Sequence, residues 1–253
     1  MLIIPQSIAK REKSILAGLY LAKYDVAGLK SLGFENFTEA FNVIGYGLGG
    51  RPASIKNYRD EFDPFFPNPR AGWHKRPIRD YCLKVLRQYE NLDYESFTGL
   101  VQSFFGYDEN VLSNLSYSEE EADGDSQFAK RLITGLAAEN YFEAIQPKIP
   151  EFNGYRVENT SRLGCGYDFR LRDNSADFLA VEVKGLKERN GSLYMTPKEH
   201  DLAAALGPRF FLFVVKNFRE TPFHEIYQNP ISSSLQFAKK ERAIIQVSWL
   251  TSV

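Results

Sequence analysis

The spacing of hydrophobic residues divides the chain into a helical first half and a β-rich second half. Before residue 113, apolar residues recur every three or four positions in segments separated by Gly and Pro clusters, a pattern typical of amphipathic helices. The predicted helices cover residues 8–24, 38–46, 54–62, 78–90 and 94–105. The first half is therefore predicted to be mostly α-helical.

The second half begins with one more predicted helix, at about 126–146, which Pro147 ends. Short runs rich in β-branched and aromatic residues follow, and such runs favour strands. They are YRVENT (155–160), GYDFRLRD (166–173), FLAVEVKG (178–185), SLYMT (192–196), RFFLFVVKN (209–217) and AIIQVSWL (243–250). A predicted helix at about 197–206 interrupts them. We expect an α/β fold here, α+β overall, with a mixed-sheet core in the order αβββαβ.

An acidic segment separates the two halves. Residues 113–126, SNLSYSEEEADGDS, combine small polar residues with a run of acids and have no apolar period, which is typical of a solvated linker. The sequence therefore predicts a helical domain at 1–112, a linker at 113–126 and a second domain at 127–253.

Composition excludes several classes of protein. The chain has 253 residues, of which 43% are hydrophobic and 25% charged, as in ordinary soluble proteins. It has no run of about 18 apolar residues, and the start, MLIIPQSIAKREK, reverses the order of a secretory signal, so we expect a cytoplasmic protein without membrane contact. The two cysteines and three histidines lack metal-ligand spacing, which argues against zinc and against a Ser/His/Asp triad.

Charge is segregated along the chain. The net charge is -1, so any contact with nucleic acid must come from a local patch. Residues 51–90 carry nine Lys or Arg against five Asp or Glu, whereas residues 107–126 carry seven acids and no base. The first of these segments is the candidate basic surface.

The most informative segment is GYDFRLRDNSADFLAVEVKG, at 166–185. A hairpin centred on Ser175 places Asp168 opposite Glu182, and alternation along the strand puts Lys184 on the same face as Glu182. Carboxylates directly opposite one another are destabilising unless a proton, a cation or solvent offsets them. Mg²⁺ is a suitable cation because it prefers hard oxygen ligands completed by water and phosphate.

These residues are therefore candidates for a metal site with catalytic chemistry. Asp168 and Glu182 would bind Mg²⁺, while Lys184 would orient a water molecule and offset charge on a phosphate. The alternative is an ordinary solvated strand face, on which charged and apolar residues also alternate. The apolar runs FLAVEV and RFFLFVV favour central strands, where an idle Glu and Lys are unexpected.

The same residues resemble the PD-(D/E)XK nuclease superfamily, with Asp168, Glu182 and Lys184 as D…E-x-K. More narrowly, the chain is similar to the nuclease-like domain named after the plant protein NO VEIN. That similarity rests on GLAAENYFEAI, GYDF, VEVKG, TPKEHDLAAAL and FFLFVV in this order, over roughly 130–217. No Pro precedes Asp168, a departure that the superfamily tolerates. The resemblance implies a restriction endonuclease-like core, Mg²⁺ as cofactor and duplex DNA as substrate.

Glu139 is a further candidate. It belongs to a three-four spaced stripe that should face the sheet, formed by Phe128, Leu132, Gly135, Glu139 and Phe142. The resemblance implies that an acid here helps to hold the metal or to orient a water; the alternative is a Glu at the helix margin that reaches solvent.

Two residues that follow the predicted strand at 178–185, Glu199 and Lys187, are weaker candidates. Thr196 and Glu199 fit a helix capping box, which accounts for Glu199 without a catalytic role. Lys187 could meet a DNA backbone, although a basic residue in a Gly-containing loop is as often simply solvated.

The first half contains a helix-turn-helix-like element. FTEAFNVIGYGLGG and RPASIKNYRDEF predict two helices joined by a glycine turn, and a plain helical hairpin is the alternative. The outward residues able to contact DNA would be Ser54, Lys56, Asn57 and Arg59. In the next loop, DNA could meet Arg70, Trp73, Lys75 and Arg76, unless the loop is a clasp between helices. Gly45, Gly47 and Gly50 satisfy GxGxxG but follow a helix and not a strand, so no nucleotide cofactor is expected.

The leading hypothesis is a magnesium-dependent, sequence-specific endonuclease of restriction type that hydrolyses phosphodiester bonds of duplex DNA. By resemblance it would act as a homodimer on palindromic sites. Two alternatives stay open: a non-catalytic DNA-binding module with a nuclease fold, and a nuclease that acts on RNA or damaged DNA.

Overall fold

The helical first half is present as the periodicity predicts. The computed structural model describes residues 8–70, 76–105 and 124–241, with side chains in the last range from residue 131 onward. The helices of the first half are α1 (Lys10–Ser31), α2 (Phe37–Gly47), α3 (Pro52–Phe62), α4 (Asp80–Tyr89) and α5 (Tyr94–Ser103). The predicted end of α1 near residue 24 corresponds to a kink at Asp25, where φ is 46°.

The second half forms a mixed five-stranded sheet with two long helices. Its elements are α6 (Gly124–Ile145), β1 (Arg156–Asn159), β2 (Phe169–Arg172), β3 (Phe178–Gly185), α7 (Pro197–Leu206), β4 (Phe210–Lys216) and β5 (Phe223–Gln228). The strands lie in sequence order, with β3 and β4 parallel and the other pairs antiparallel. The expected α+β class is confirmed.

Two strand predictions need correction. The run SLYMT at 192–196 has no regular secondary structure. It lies in the connection between β3 and β4, and both of these strands already have a partner on each side, so neither is free to pair with it. Conversely, β5 was not predicted, because its residues are half-buried and polar as suits an edge strand. The run at 243–250 lies outside the described residues.

The β2–β3 hairpin has the predicted register. Arg170 pairs with Ala180 and Phe169 with Val181. One step further, the amide of Asp168 donates to the carbonyl of Val181 at 3.1 Å, which holds the Asp168 backbone against β3, beside the residue that precedes Glu182.

The two faces of the sheet pack against different helices. Phe142 of α6 lies 4.7 Å from Phe169 and 5.0 Å from Phe213 between ring centroids, within the main core. On the other side, Ala180 and Phe210 form a small cluster with Ala203 of α7. Strand β3 is therefore covered by a helix on each face.

The main core continues into the helical half. It includes α1 and α2 side chains together with those of α6 and the sheet. Asn42 of α2 donates two hydrogen bonds of 2.8 Å, to the carbonyls of Phe218 and Glu220 after β4. The two predicted domains thus share one apolar core, and the domain boundary in the acidic linker stays a prediction because residues 113–123 lie outside the described ranges.

The GxGxxG glycines have a packing explanation. A Cβ at Gly45 would lie 2.7 Å from the Cα of Pro52, so the α2–α3 turn closes only with glycine there. A Cβ on Gly47 would lie 3.1 Å from the Phe105 ring, and the neighbouring Gly49, which is not part of the motif, has a φ of +60°. The segment follows helix α2, which is the wrong context for a dinucleotide site.

Among the described helices, none is both long and apolar enough to cross a membrane.

Candidate functional site

The candidate site lies at one end of the β2–β3 hairpin. Asp168 immediately precedes β2, and Glu182 and Lys184 lie on β3. The amide of Val183 donates to Oδ2 of Asp168 at 2.9 Å, which orients this carboxylate towards β3. Glu182 is only 3% exposed, although it carries an ionisable group on a central strand. The structure therefore brings together the three residues that the hairpin predicted.

Lys184 links two carboxylates. Its Nζ lies 2.6 Å from Oε1 of Glu182 and 2.9 Å from Oε2 of Glu199. Its side chain is partly exposed, whereas that of Glu182 is almost completely buried. The ammonium is thus held in place between β3 and the first turn of α7.

Glu199 is a site residue that the sequence analysis missed. Its predicted capping role is confirmed, because the Thr196 amide donates to Oε2 of Glu199 at 3.0 Å and the Glu199 amide donates to Oγ1 of Thr196 at 3.3 Å. The same Oε2 also contacts Lys184. The sequence feature that could have identified Glu199 as a site residue was the β3–α7–β4 unit. In such a parallel unit the helix runs back over the sheet, so its first turn lies near the carboxyl end of β3.

Glu139 approaches the site from α6. A Cβ on Gly185, at the end of β3, would lie 3.0 Å from the Thr134 carbonyl and 3.2 Å from the Ala138 Cβ, so only glycine allows this close packing. Glu139, which follows Ala138, lies near enough to Asp168 for the two carboxylates to interact. Of the predicted stripe, Phe142 is buried in the core, whereas Leu132, Gly135 and Glu139 are half-buried, so Glu139 lies at the margin of the buried face and not at its centre. The side chain of Phe128 lies outside the described residues.

The pKa of Glu139 is strongly raised. Burial, with a smaller contribution from the nearby Asp168, raises it to about 8, and a hydrogen bond with Ser161 and the Arg162 guanidinium oppose the shift. Its surroundings therefore favour the protonated form of this carboxyl group.

The other acids of the site are perturbed in the same direction. Burial raises the pKa of Asp168 to about 6, despite the Val183 amide and the Lys184 ammonium. Burial also raises the pKa of Glu182 well above its usual range, with Lys184 opposing and Asp168 and Glu199 adding to the rise. Burial lowers the pKa of Lys184, but its two carboxylate partners outweigh this effect and raise it. The cluster has more acids than its one ammonium can neutralise.

This surplus of carboxylates fits a hard divalent cation. Within the described ranges, no group of three or more His, Cys, Asp or Glu side chains is arranged as a ready metal centre. A metal ion held here by Asp168 and Glu182 would have only these two carboxylates as protein ligands, and its other coordination positions would be open to water or substrate. Mg²⁺ commonly uses one or two carboxylates and completes its shell with water and substrate phosphate.

The predicted DNA-facing residues of α3 have different surroundings. Lys56 and Asn57 are exposed and Ser54 is half-buried. Arg59 is only 8% exposed, its Nη2 lies 2.6 Å from Oδ1 of Asp60, and its guanidinium also stacks over phenylalanine rings of α2. The expectation that Arg59 faces outward is therefore wrong, because an adjacent acid and an aromatic surface draw it into the protein.

Arginines of the following loop form ion pairs inside the protein. Arg70 lies 2.7 Å from Asp63 and also contacts Asp25 at the α1 kink. Arg76 lies 3.2 Å from Glu61, a nearly buried acid that Arg79 also contacts. These contacts favour the clasp that was the alternative to DNA binding.

Three further candidates complete the predicted set. Lys187 forms an ion pair with Glu35, which links the end of β3 to the segment before α2. Trp73 and Lys75 lie outside the described residues. Contact of any of them with DNA stays a prediction.

The family comparison coincides with the site. Residues 138–228 match the family model described as Protein NO VEIN, C-terminal. This span contains Glu139, Asp168, Glu182, Lys184 and Glu199, so the narrower resemblance seen in the sequence is confirmed over these residues. No curated protein and no solved structure matches the chain significantly.

Proposed function

We propose that this protein is a magnesium-dependent endonuclease that hydrolyses phosphodiester bonds of duplex DNA. The observation that carries the proposal is the arrangement of Asp168, just before β2, beside Glu182 on the neighbouring strand β3, with Lys184 held next to them in a cluster rich in carboxylates. The family match supports it, because the NO VEIN C-terminal domain has a nuclease-like sequence pattern and its model covers all of these residues.

The proposal gives each central residue a chemical role. Asp168 and Glu182 would hold Mg²⁺, which supplies Lewis-acid activation of the phosphate and of a bound water. Lys184 would position the attacking water and offset the negative charge that develops on the phosphate. Its contacts with Glu182 and Glu199 hold the ammonium in a defined place before substrate binds.

The two flanking acids would act from the helices. Glu199 is a positioning residue in this proposal, since it contacts Lys184 and is itself held by the α7 cap. Burial raises the pKa of Glu139, and a cation held beside the neighbouring Asp168 would lower this pKa again and favour the carboxylate.

We further propose a restriction-type enzyme that reads a defined sequence as a homodimer. The net charge of -1 supports recognition by local contacts, since a nonspecific nuclease gains more from a basic surface. The exposed Lys56 and Asn57 on α3 are suitable for such contacts.

The test is cleavage of mixed plasmid and phage DNA, methylated and unmethylated, with Mg²⁺ or with chelator. We expect discrete fragments that require Mg²⁺ and that disappear in Glu182→Gln and Lys184→Met. A matched control is Arg209→Met, because Arg209 pairs with Asp177 at 2.7 Å and precedes β4, at the opposite end of the β3–β4 pair from Lys184. Cleavage that persists in chelator, or in both site variants, would contradict the proposal.

Competing substrates separate the proposal from its rivals. RNA, single-stranded DNA and duplexes with damaged bases are tested under the same conditions. Turnover of one of these in place of intact duplex would replace the substrate assignment. Duplex binding without any turnover would replace the enzyme with a binding module.

A further inference from the structure

The loop between β1 and β2, residues 160–168, presents an unusual side chain beside the candidate site. Leu163 at its tip is 68% exposed, the highest value among the large hydrophobic side chains that the structure describes. The loop leads directly into Asp168, the proposed metal ligand. A single exposed leucine is ordinary on a protein surface, so the surroundings decide whether it has a role.

The base of this β1–β2 loop is held firmly. The Thr160 amide donates to the carbonyl of Asp168 at 2.7 Å, and Oγ1 of Thr160 donates to the carbonyl of Tyr167 at 3.1 Å. The Leu163 amide in turn donates to the Thr160 carbonyl at 2.8 Å. The tip is therefore fixed relative to the Asp168 carboxylate.

A second support comes from α7. Lys198 donates from Nζ to the carbonyl of Gly164, which has a left-handed conformation with φ 60° and ψ 30°. Gly166 also has a positive φ of 91°, and a Cβ there would lie 3.2 Å from the Lys198 side chain. An exposed apolar side chain on a loop held by these hydrogen bonds is suited to contact a binding partner.

The charge around the tip indicates the chemistry of that partner. Arg162, which precedes Leu163 in the chain, is exposed, and the exposed Lys198 holds its ammonium at the carbonyl of Gly164, which follows Leu163. An exposed apolar side chain with two cations close by is complementary to duplex DNA, in which sugars and base edges line a groove between two rows of phosphates.

We propose that the β1–β2 loop is a duplex-DNA contact, in which Leu163 packs into a groove while Arg162 and Lys198 meet the flanking phosphates. The proposal rests on the nuclease function, because its position beside Asp168 matters only if DNA reaches that site. The loop would fix the scissile phosphate relative to the metal ligands.

The test measures binding of a labelled mixed-sequence DNA duplex to the full chain in a Glu182→Gln background, which leaves the DNA intact. We expect Leu163→Ser to weaken binding by about 5- to 20-fold, since an apolar contact is lost. We expect Arg162→Gln to weaken it by about 3- to 10-fold and to reduce the slope of log affinity against log salt by about one. Both residues are exposed, so thermal unfolding should be unchanged.

Matched controls separate a local contact from a general surface effect. Val26→Ser removes another apolar side chain, 48% exposed on α1, and Arg172→Gln removes an exposed arginine at the far end of β2. Both controls should bind the duplex like the parent.

The possible results distinguish failure of the loop proposal from failure of the proposed nuclease function. If both loop variants bind duplex like the parent while the protein with intact Glu182 cuts DNA in Mg²⁺, the loop proposal is wrong and the nuclease function stands. If the parent neither binds nor cuts duplex DNA, both proposals fail. Loop variants that lose only RNA or single-strand binding would overturn the assignment to duplex.

Discussion

Replacement of Asp168 by Asn separates the stability of the site from its function. Burial raises the pKa of the Asp168 carboxyl to about 6, so at pH 8 the folded protein holds a charge in an unfavourable environment. Asn has nearly the same shape and still accepts the hydrogen bond from the Val183 amide. We therefore expect Asp168→Asn to stabilise the metal-free protein at pH 8 while it abolishes cleavage.

The size of this effect follows from the pKa difference. An unfolded Asp titrates at about 3.9, and the shift to about 6 corresponds to about 3 kcal/mol above both values. Partial exposure reduces this figure, and loss of the charge-assisted hydrogen bond from Val183 removes about 1 kcal/mol. The net gain at pH 8 is then about 1–2 kcal/mol, or roughly 2–8 °C in melting temperature.

The sign depends on pH in a defined way. An acid whose folded pKa is raised lowers stability as pH rises from about 4 through about 6, and the loss is constant at higher pH. At pH 5 the electrostatic gain of the Asn variant falls to about half, so the two proteins should be nearly equally stable there. With Mg²⁺ at ten times its dissociation constant, the parent gains about 1.4 kcal/mol and the variant gains nothing.

The assay is urea unfolding at pH 5 and pH 8, with chelator or with Mg²⁺. Asp177→Asn is the control, because Asp177 is an exposed acid of the same hairpin that pairs with Arg209 at 2.7 Å, and it should change stability by less than about 0.5 kcal/mol. The reasoning is refuted if Asp168→Asn is less stable than the parent at pH 8, if its effect is the same at both pH values, or if Mg²⁺ still stabilises it.

Three further predictions test the surroundings of the site. Glu199→Gln keeps the capping interaction and so should change unfolding free energy by under about 1 kcal/mol, yet lower kcat by about tenfold or more at unchanged KM; equal loss of stability and activity would contradict the positioning role. Gly185→Ala places a Cβ 3.0 Å from the Thr134 carbonyl. It should therefore lower the free energy of unfolding by about 1–3 kcal/mol, as urea unfolding would show, and an unchanged value would contradict this tight packing. Asn42→Ala removes both 2.8 Å bonds to the β4–β5 connection. It should destabilise the protein by about 1–3 kcal/mol, and hydrogen exchange should report whether the Phe218 region opens, with no change there counting against the contact.

The described helices, the β2–β3 hairpin and the central pair of the site were predictable from the sequence because they depend on local geometry. Side chains alternate with a period of two in a strand, and a turn centred on Ser175 then predicts the observed pairs Arg170–Ala180 and Phe169–Val181, which bring Asp168 against β3. The capping box at Thr196 is equally local, since it needs only residues three apart. The helix kink at Asp25 also lies where the apolar period stops.

Only the tertiary structure decided which charged groups meet. Lys184 contacts Glu199 because α7 packs over β3, and Glu139 approaches Asp168 because Gly185 allows α6 to come close. Periodicity identifies the face of an element on which a side chain lies, but the partner on that face comes from a distant part of the chain. The same reason explains Arg59, which the helical period placed outward and an acid with an aromatic surface holds inside.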